Sequence, residues 1–346
     1  MRTAVFHENF ASDERLWDSP TQRRAMLLFV LALFSLPLWA GDYMLAMACI
    51  VGIHVIATLG LNLTTGNAGL ISLSHGAFLG VGCYTVAWAA KLGLPFYLCL
   101  PLGGALAAVL GLLVGLPSLR VKGIYLAVAT LAAHFILTFV FREWDSVTGG
   151  VPGTSIPRAR LFGFELIGDR RNFYLIFTVA VLGAVAARNL ARSYIGRAFV
   201  AVRERDFSAE ILGVHLLRTK LMAFALGAFY AGVAGGLLGY FYGAITPEYF
   251  VLTLSVFYLA AAIVGGLGTV LGSVLGAVFM TFVPEALRLV AHASTQWFPN
   301  AAGLLLPMQQ VVFGVLIIGF LVFEPHGLAA LWARIRRSFH LWPFKT

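Results

Sequence analysis

Between Gly60 and Gly76 the chain reads GLNLTTGNAGLISLSHG. Here an apolar run is interrupted by Asn62, Thr64, Thr65, Ser72, Ser74 and His75. Amide, hydroxyl and imidazole groups at the head of an apolar helix can line a water-filled path, or satisfy the backbone of a broken helix. The same residues also fit an ordinary capped turn, and residue type alone does not decide between these readings. His54 and His134 lie in apolar runs as well. The plain reading is neutral imidazoles hydrogen-bonded between helices; the alternative is contact with a path or a solute.

The acids limit the chemistry further. All 15 Asp and Glu residues fall in expected loops, tails or helix ends, with Asp42 and Glu285 nearest to an apolar segment. A carrier driven by an ion gradient ordinarily needs a carboxylate within the membrane, where it can take up and release the ion. No G-x-x-x-x-G-K-[ST] phosphate cradle occurs, so energy from ATP would have to enter through another polypeptide. No G-x-S-x-G elbow and no H-E-x-x-H metal pair occur, which leaves an enzymatic role unsupported. Cys49, Cys83 and Cys99 have no metal-ligand spacing and read as small packing residues. We expect no metal and no cofactor on this chain.

The elements that position these residues follow from composition. Of 346 residues, 60% are hydrophobic and 11% charged. Soluble domains carry about a quarter charged residues. A chain of this size cannot bury so much apolar surface in its own interior, so lipid must cover the rest. The 37 glycines suit membrane helices, whose backbones approach closely at small residues. The expected fold is therefore all-α, a polytopic transmembrane helix bundle.

A span needs roughly 20 apolar residues. About ten such segments occur, near 24–40, 43–63, 68–90, 95–116, 123–141, 172–187, 219–242, 250–266, 268–290 and 305–323. The expected division is a cytoplasmic tail at 1–24, a membrane domain at 25–330 and a cytoplasmic tail at 331–346. With both termini inside, 17 of the 24 Lys and Arg residues face the cytoplasm: Arg2, Arg15, Arg23, Arg24, Arg120, Lys122, Arg188, Arg192, Arg197, Arg203, Arg205, Arg218, Lys220, Arg334, Arg336, Arg337 and Lys345. That bias fits the rule that basic residues stay inside, and it accounts for the net charge of +9.

Two connections are too long to be simple turns. The outer one, 142–171, contains Thr148, Gly149, Gly150, Pro152, Gly153 and Pro157, which should order it. The inner one, 188–218, mixes apolar and charged residues. There Asp206 or Ser208 is expected to cap a short amphipathic helix that Gly213 ends. Glycines four apart, such as Gly76 with Gly80, Gly111 with Gly115, and Gly268, Gly272 and Gly276, are expected at helix contacts. Of Pro95, Pro101, Pro117, Pro284 and Pro325, most are expected near span ends, as boundaries and not gating hinges.

At these positions the chain resembles the LivM-type permeases of branched-chain amino-acid ABC importers. The resemblance rests on G-L-N-L-x-x-G-x-A-G-L-x-S-L at Gly60 to Leu73, on Tyr125 to Ala132, and on T-G-G-x-x-G at Thr148 to Gly153. It continues with I-G-R-A at Ile195 to Ala198, Ala201 to Glu204, Ala209, Gly213 and Lys220, then Gly265 to Thr269 and Gly327-Leu328. It covers about residues 45–330. Ser74 and Gly76 beside His75, and Ser273, depart from the common pattern and leave the solute open, because permeases for urea and short-chain amides share these motifs.

The resemblance implies a non-catalytic subunit of the bacterial inner membrane that forms a path for branched-chain or similar amino acids. It implies a homologous second permease subunit, two ATP-binding subunits that hold the ATP, and an extracytoplasmic solute-binding protein. It also implies that about Arg197–Lys220 couples to the ATPase. There Ser208, Ala209, Glu210 and Gly213 would form the centre, with Ala209 and Gly213 allowing close docking, and Arg203, Glu204, Arg205 and Glu210 the polar rim. Asn62, Thr64, Thr65, Ser72, Ser74 and His75 are the pore-lining candidates. The competing readings are an ion-coupled amino-acid carrier, which would transport alone, and a scaffold or intramembrane enzyme subunit, which would move no solute.

Overall fold

In the computed structural model, residues 20–121, 123–157, 160–161, 164–165, 168–294, 305–324 and 326–341 are described. Residues 1–19, Lys122, Arg158, Pro325 and Lys345 of the expected tails and loops lie outside this set. A helix lies on each of the ten segments expected as spans: α1 (Pro20–Ser35), α2 (Asp42–Leu61), α3 (His75–Lys91), α4 (Phe96–Gly115), α5 (Ile124–Glu143), α6 (Asp169–Arg192), α9 (Leu216–Tyr242), α10 (Leu252–Gly265), α11 (Val270–Ser294) and α12 (Leu305–Phe323). Between α6 and α9 lie α7 (Tyr194–Glu204) and α8 (Asp206–Ile211), and α13 (Gly327–Leu341) follows α12. Among the described residues, six helices are long and apolar enough to cross a membrane: Asp42–Asn67, Phe96–Gly115, Ile124–Glu143, Asp169–Arg192, Leu216–Tyr242 and Val270–Leu289. Leu252–Gly265 and Val311–Phe320 are shorter apolar helices.

The bundle is organised around α9, which is glycine-rich because three helices cross it at backbone distance. A Cβ on Gly232 would stand 2.7 Å from the Gly103 carbonyl of α4, and one on Gly82 of α3 would stand 2.1 Å from the Gly232 carbonyl. Gly235 meets the Leu79 carbonyl of α3, and Gly60 of α2 meets the Gly227 carbonyl. Such contact exists only where side chains are missing, which is how helices hold together when lipid is as apolar as they are. The α10–α11 hairpin closes in the same way, with Gly276 against the Ala261 carbonyl and Gly265 against that of Gly272.

The 142–171 connection is ordered where it is described. β1 (Thr154–Ser155) pairs antiparallel with β4 (Ala244–Ile245), while β2 (Arg160–Leu161) pairs with β3 (Phe164–Glu165). Thr148 Oγ1 shares its single hydrogen between the carbonyls of Phe141 and Trp144, each 2.8 Å away. Gly149, Gly150 and Gly153 all hold positive φ. At Gly153 a Cβ would also strike the Ile245 carbonyl at 2.1 Å, so the turn needs glycine on both counts.

Two expectations about boundaries are corrected. Pro101 and Pro284 lie inside α4 and α11, not at their ends. Membrane helices accept proline in the interior because neighbouring groups can satisfy the backbone it frees. The second helix does not stop near residue 63, nor does the third start at 68. The α2 helix runs on through a wide π turn at Asn62–Asn67, and α3 begins at His75.

Candidate functional site

The six polar residues singled out between Gly60 and Gly76 are all buried. The structure brings them together around the π turn and the non-helical stretch 68–74 that follows it. Within the turn, wide bonds replace the usual ladder: Ala68 N–H donates to the Leu63 carbonyl at 3.3 Å and Leu70 N–H to that of Thr64 at 3.0 Å. Wide turns of this kind are rare and tend to mark functional positions.

Asn62 anchors the turn to the α10–α11 loop. Its Nδ2 donates to the Thr269 carbonyl at 2.8 Å and to Ser273 Oγ at 2.7 Å, and its Oδ1 accepts from Gly268 N–H at 2.7 Å. Thr64 Oγ1 donates to the Ala223 carbonyl of α9 at 3.0 Å, and Thr65 Oγ1 to that of Leu70 at 3.1 Å. The hydroxyls of Ser72 and Ser74 lie 3.2 Å apart. His75 Nε2 is 2.8 Å from the Ala57 carbonyl of α2, which makes that nitrogen the donor.

Two further residues complete this layer, and sequence reasoning missed both. Leu73 N–H donates to Thr130 Oγ1 of α5 at 3.0 Å, and Gly76 N–H donates to Ser255 Oγ of α10 at 2.8 Å. Non-helical backbone at membrane depth is tolerated only where such partners exist. Each is a small hydroxyl residue in an apolar helix, and no local signal separates it from an ordinary packing residue.

Of the other histidines, His54 Nδ1 lies 2.8 Å from Thr281 Oγ1, which ties α2 to α11. Its ring and that of His75 both pack edge-on against Tyr258 of α10, with centroids 5.6 Å apart. His134 is buried on α5 with no hydrogen-bond partner among the described residues. Among the described residues, no three His, Cys, Asp or Glu side chains gather as metal ligands.

The second candidate region is the segment Arg197–Lys220. Ser193 caps α7, accepting from Gly196 N–H at 3.4 Å, and the α7 face with Gly196, Phe199 and Val202 is buried. The short helix α8 follows as expected, but neither Asp206 nor Ser208 caps it: Arg205 holds the cap position without a side-chain bond, and Ser208 is internal. The Asp206 carboxylate turns instead to Lys220 of α9, with Nζ 2.8 Å from Oδ2. Gly213, at φ 87°, ends the helix. Its N–H donates to the Glu210 carbonyl and Val214 N–H to that of Ala209, satisfying carbonyls the helix leaves open.

Side-chain direction redistributes the expected docking residues. Ala209 is only 2% exposed and faces inward, as does Lys220, while Arg203 points its guanidinium at the Gly66 carbonyl, 2.6 Å away. Ser208, Glu210, Glu204 and Gly213 stay on the surface, and Arg197 Nη1 donates to the Arg192 carbonyl at 2.9 Å. The projecting side chains are Phe207, Ile211 and Leu212, at 75%, 71% and 81% exposure. None of the three is among the expected docking residues, although the apolar i, i+4 pair Phe207 and Ile211 in a charged segment is a signal for them. Beside them opens a groove of about 510 Å³, lined in part by Tyr194, Arg197, Leu212, His215, Arg218 and Met222.

The family model described as branched-chain amino acid transport system, permease component, matches residues 43–321. The high-affinity branched-chain amino acid transport system permease protein LivM of Salmonella typhimurium is 31% identical over 338 residues, covering 90% of this chain and 76% of its own. LivM of Escherichia coli gives the same figures. The LivH permease protein of the corresponding system of Salmonella typhimurium is 28% identical, over 80% of this chain and 90% of its own. No solved structure matches. With its apolar helices crossing at glycine, its irregular buried segment after Gly60 and a match over most of its length, this multi-pass membrane protein belongs to the family of branched-chain amino acid transport system permease components.

Proposed function

We propose that the chain is one of two related permease subunits of an ATP-driven importer in the bacterial inner membrane. In this reading it crosses the membrane about ten times with both termini inside, and its path takes branched-chain amino acids or close analogues. Two ATP-binding subunits supply the energy, and an extracytoplasmic binding protein delivers the solute. The chain itself carries no catalytic group and no cofactor.

The observation that carries this reading is the α8 tip. Three large apolar side chains project from a six-residue helix whose base is fixed by a buried ion pair. A soluble surface does not leave such a cluster bare without a partner. Burial of these side chains in a groove of the ATP-binding subunit, with Ser208, Glu204 and Glu210 at the rim, would supply the hydrophobic centre that docking surfaces use. The carboxylates agree: apart from Glu285, which lies inside α11 four residues before the end of the Val270–Leu289 apolar segment, the described acids lie at helix ends or in connections. Ion coupling would require one in the middle.

The polar layer around Asn62, Thr64, Thr65, Ser72, Ser74 and His75 is the place where a solute path would meet irregular backbone. Alternating access would rearrange its internal bonds, and a solute biases that change only by binding the two states unequally. The test is uptake of labelled leucine into vesicles that hold this chain with its second permease, ATP-binding subunits and binding protein. Accumulation that requires internal ATP and is competed by isoleucine and valine is the expected result. Competition by urea or short amides alone would reassign the substrate, and uptake by the chain alone would overturn the reading.

A further inference from the structure

Arg203 is exposed, but its guanidinium folds back onto the π turn. Its Nη1 donates to the Gly66 carbonyl at 2.6 Å, which the chain has left without a helical partner by departing from the helix after Asn67. Gly69, at φ 70°, packs on the Arg203 side chain, where a Cβ would lie 3.0 Å from Cγ. From the same turn Asn62 holds Gly268, Thr269 and Ser273 by three bonds of 2.7–2.8 Å, and a Cβ on Gly268 would lie 3.1 Å from Arg203 Nη1. Gly66 itself has no room for a methyl, which would sit 1.8 Å from Asn62 Oδ1 and 2.5 Å from Gly268 N. Beyond the loop, Gly266 packs on His326 and Gly327 at the start of α13. One unbroken series of polar contacts therefore runs from the cytoplasmic segment, through the π turn, to the α10–α11 loop.

We infer that Arg203 and Asn62 are the two joints of a link that carries movement of the 197–220 segment into the α10–α11 loop, with the π turn as its rigid middle piece. Arg203 is then a positioning residue for transport and not a docking contact. This rests on the transport reading above. A guanidinium suits the role because its fixed fork keeps direction as well as charge. The wide turn suits it because four side-chain bonds of Asn62 and Thr64 pin it to α9, α11 and the α10–α11 loop, so that displacement at one end reaches the other.

The test has two arms. In the first, hydrogen exchange is followed on the full chain in lipid nanodiscs, for wild type, Arg203→Ala, Arg203→Lys and Arg205→Ala. Loss of a bond to a charged donor should raise exchange in 62–70 and also in 266–272 by about tenfold. Arg203→Lys should fall between, and Arg205→Ala should leave 266–272 unchanged. In the second, the assembled importer is measured for ATP hydrolysis and solute uptake. Arg203→Ala should hold its partner subunits and hydrolyse ATP within about twofold of wild type while moving about tenfold less solute per ATP, a loss of about 1.4 kcal/mol in coupling. Asn62→Ala should do the same, and the double variant should be no worse than the worse single one. Unchanged exchange at 266–272 in Arg203→Ala overturns the link, as does loss of ATPase binding with coupling intact. If the wild-type assembly shows no ATP-driven uptake, the transport reading fails, and the exchange arm still decides whether the link exists.

Discussion

Lys220 and Asp206 form an ion pair across the junction of α8 and α9, with Nζ 2.8 Å from Oδ2 and the lysine side chain 4% exposed. A lysine buried this far must keep a partner, because an uncompensated ammonium in low dielectric is costly. The pair fixes the first turn of α8 on the membrane domain. Asp206→Ala should destabilise this junction by about 3 kcal/mol, whereas Lys220→Met with Asp206→Leu should recover most of the loss. Limited proteolysis between 204 and 216 measures both: fast cleavage in the single variant and near-native resistance in the double one.

The docking surface gives a separate prediction. Phe207→Asp with Ile211→Asp should leave the fold intact, since both side chains are exposed, and should weaken capture of the ATP-binding subunit by about thirtyfold. Thermal unfolding and co-purification read the two effects independently. Gly213→Arg is the poorer probe, because φ of 87° strains any side chain and mixes folding with docking.

Glycine crossings predict sharp position dependence. Gly235→Ala sets a methyl 1.9 Å from the Leu79 carbonyl and should cost about 1–3 kcal/mol or more, because backbone must move. Gly314→Ala meets nothing within 4 Å and should be neutral. Melting of the two purified variants in detergent makes the comparison.

Ser255→Ala and Thr130→Val test the irregular stretch 68–76. Each leaves one backbone N–H, of Gly76 or Leu73, without its acceptor. The expected loss is about 1–3 kcal/mol each. Raised hydrogen exchange confined to 72–78 would accompany it.

What could be read in advance follows from the range of the forces. Apolar runs the length of a bilayer revealed α4, α5 and α9 because lipid acts on every residue of them. Gly213 as a helix stop was legible because backbone conformation is local. The end of α2 at Asn67 was not, since it depends on Asn62 reaching residues more than 200 positions away. Nor was the direction of Ala209, since a six-residue helix has too little periodicity to mark its inner face, nor that of Lys220 on α9, which is set by its pairing with Asp206. The polar residues after Gly60 stood out by type, but Thr130 and Ser255, which accept from the Leu73 and Gly76 amides, look like any other small hydroxyl residue.

Cross-linking at position 207 tests the central claim, that energy enters through this segment, most directly. The native cysteines are all buried, so Phe207→Cys adds the accessible thiol. In whole cells the account predicts a cross-link to the ATP-binding subunit and protection from a membrane-impermeant maleimide added outside. Labelling from outside, with no cross-linked product, would contradict it.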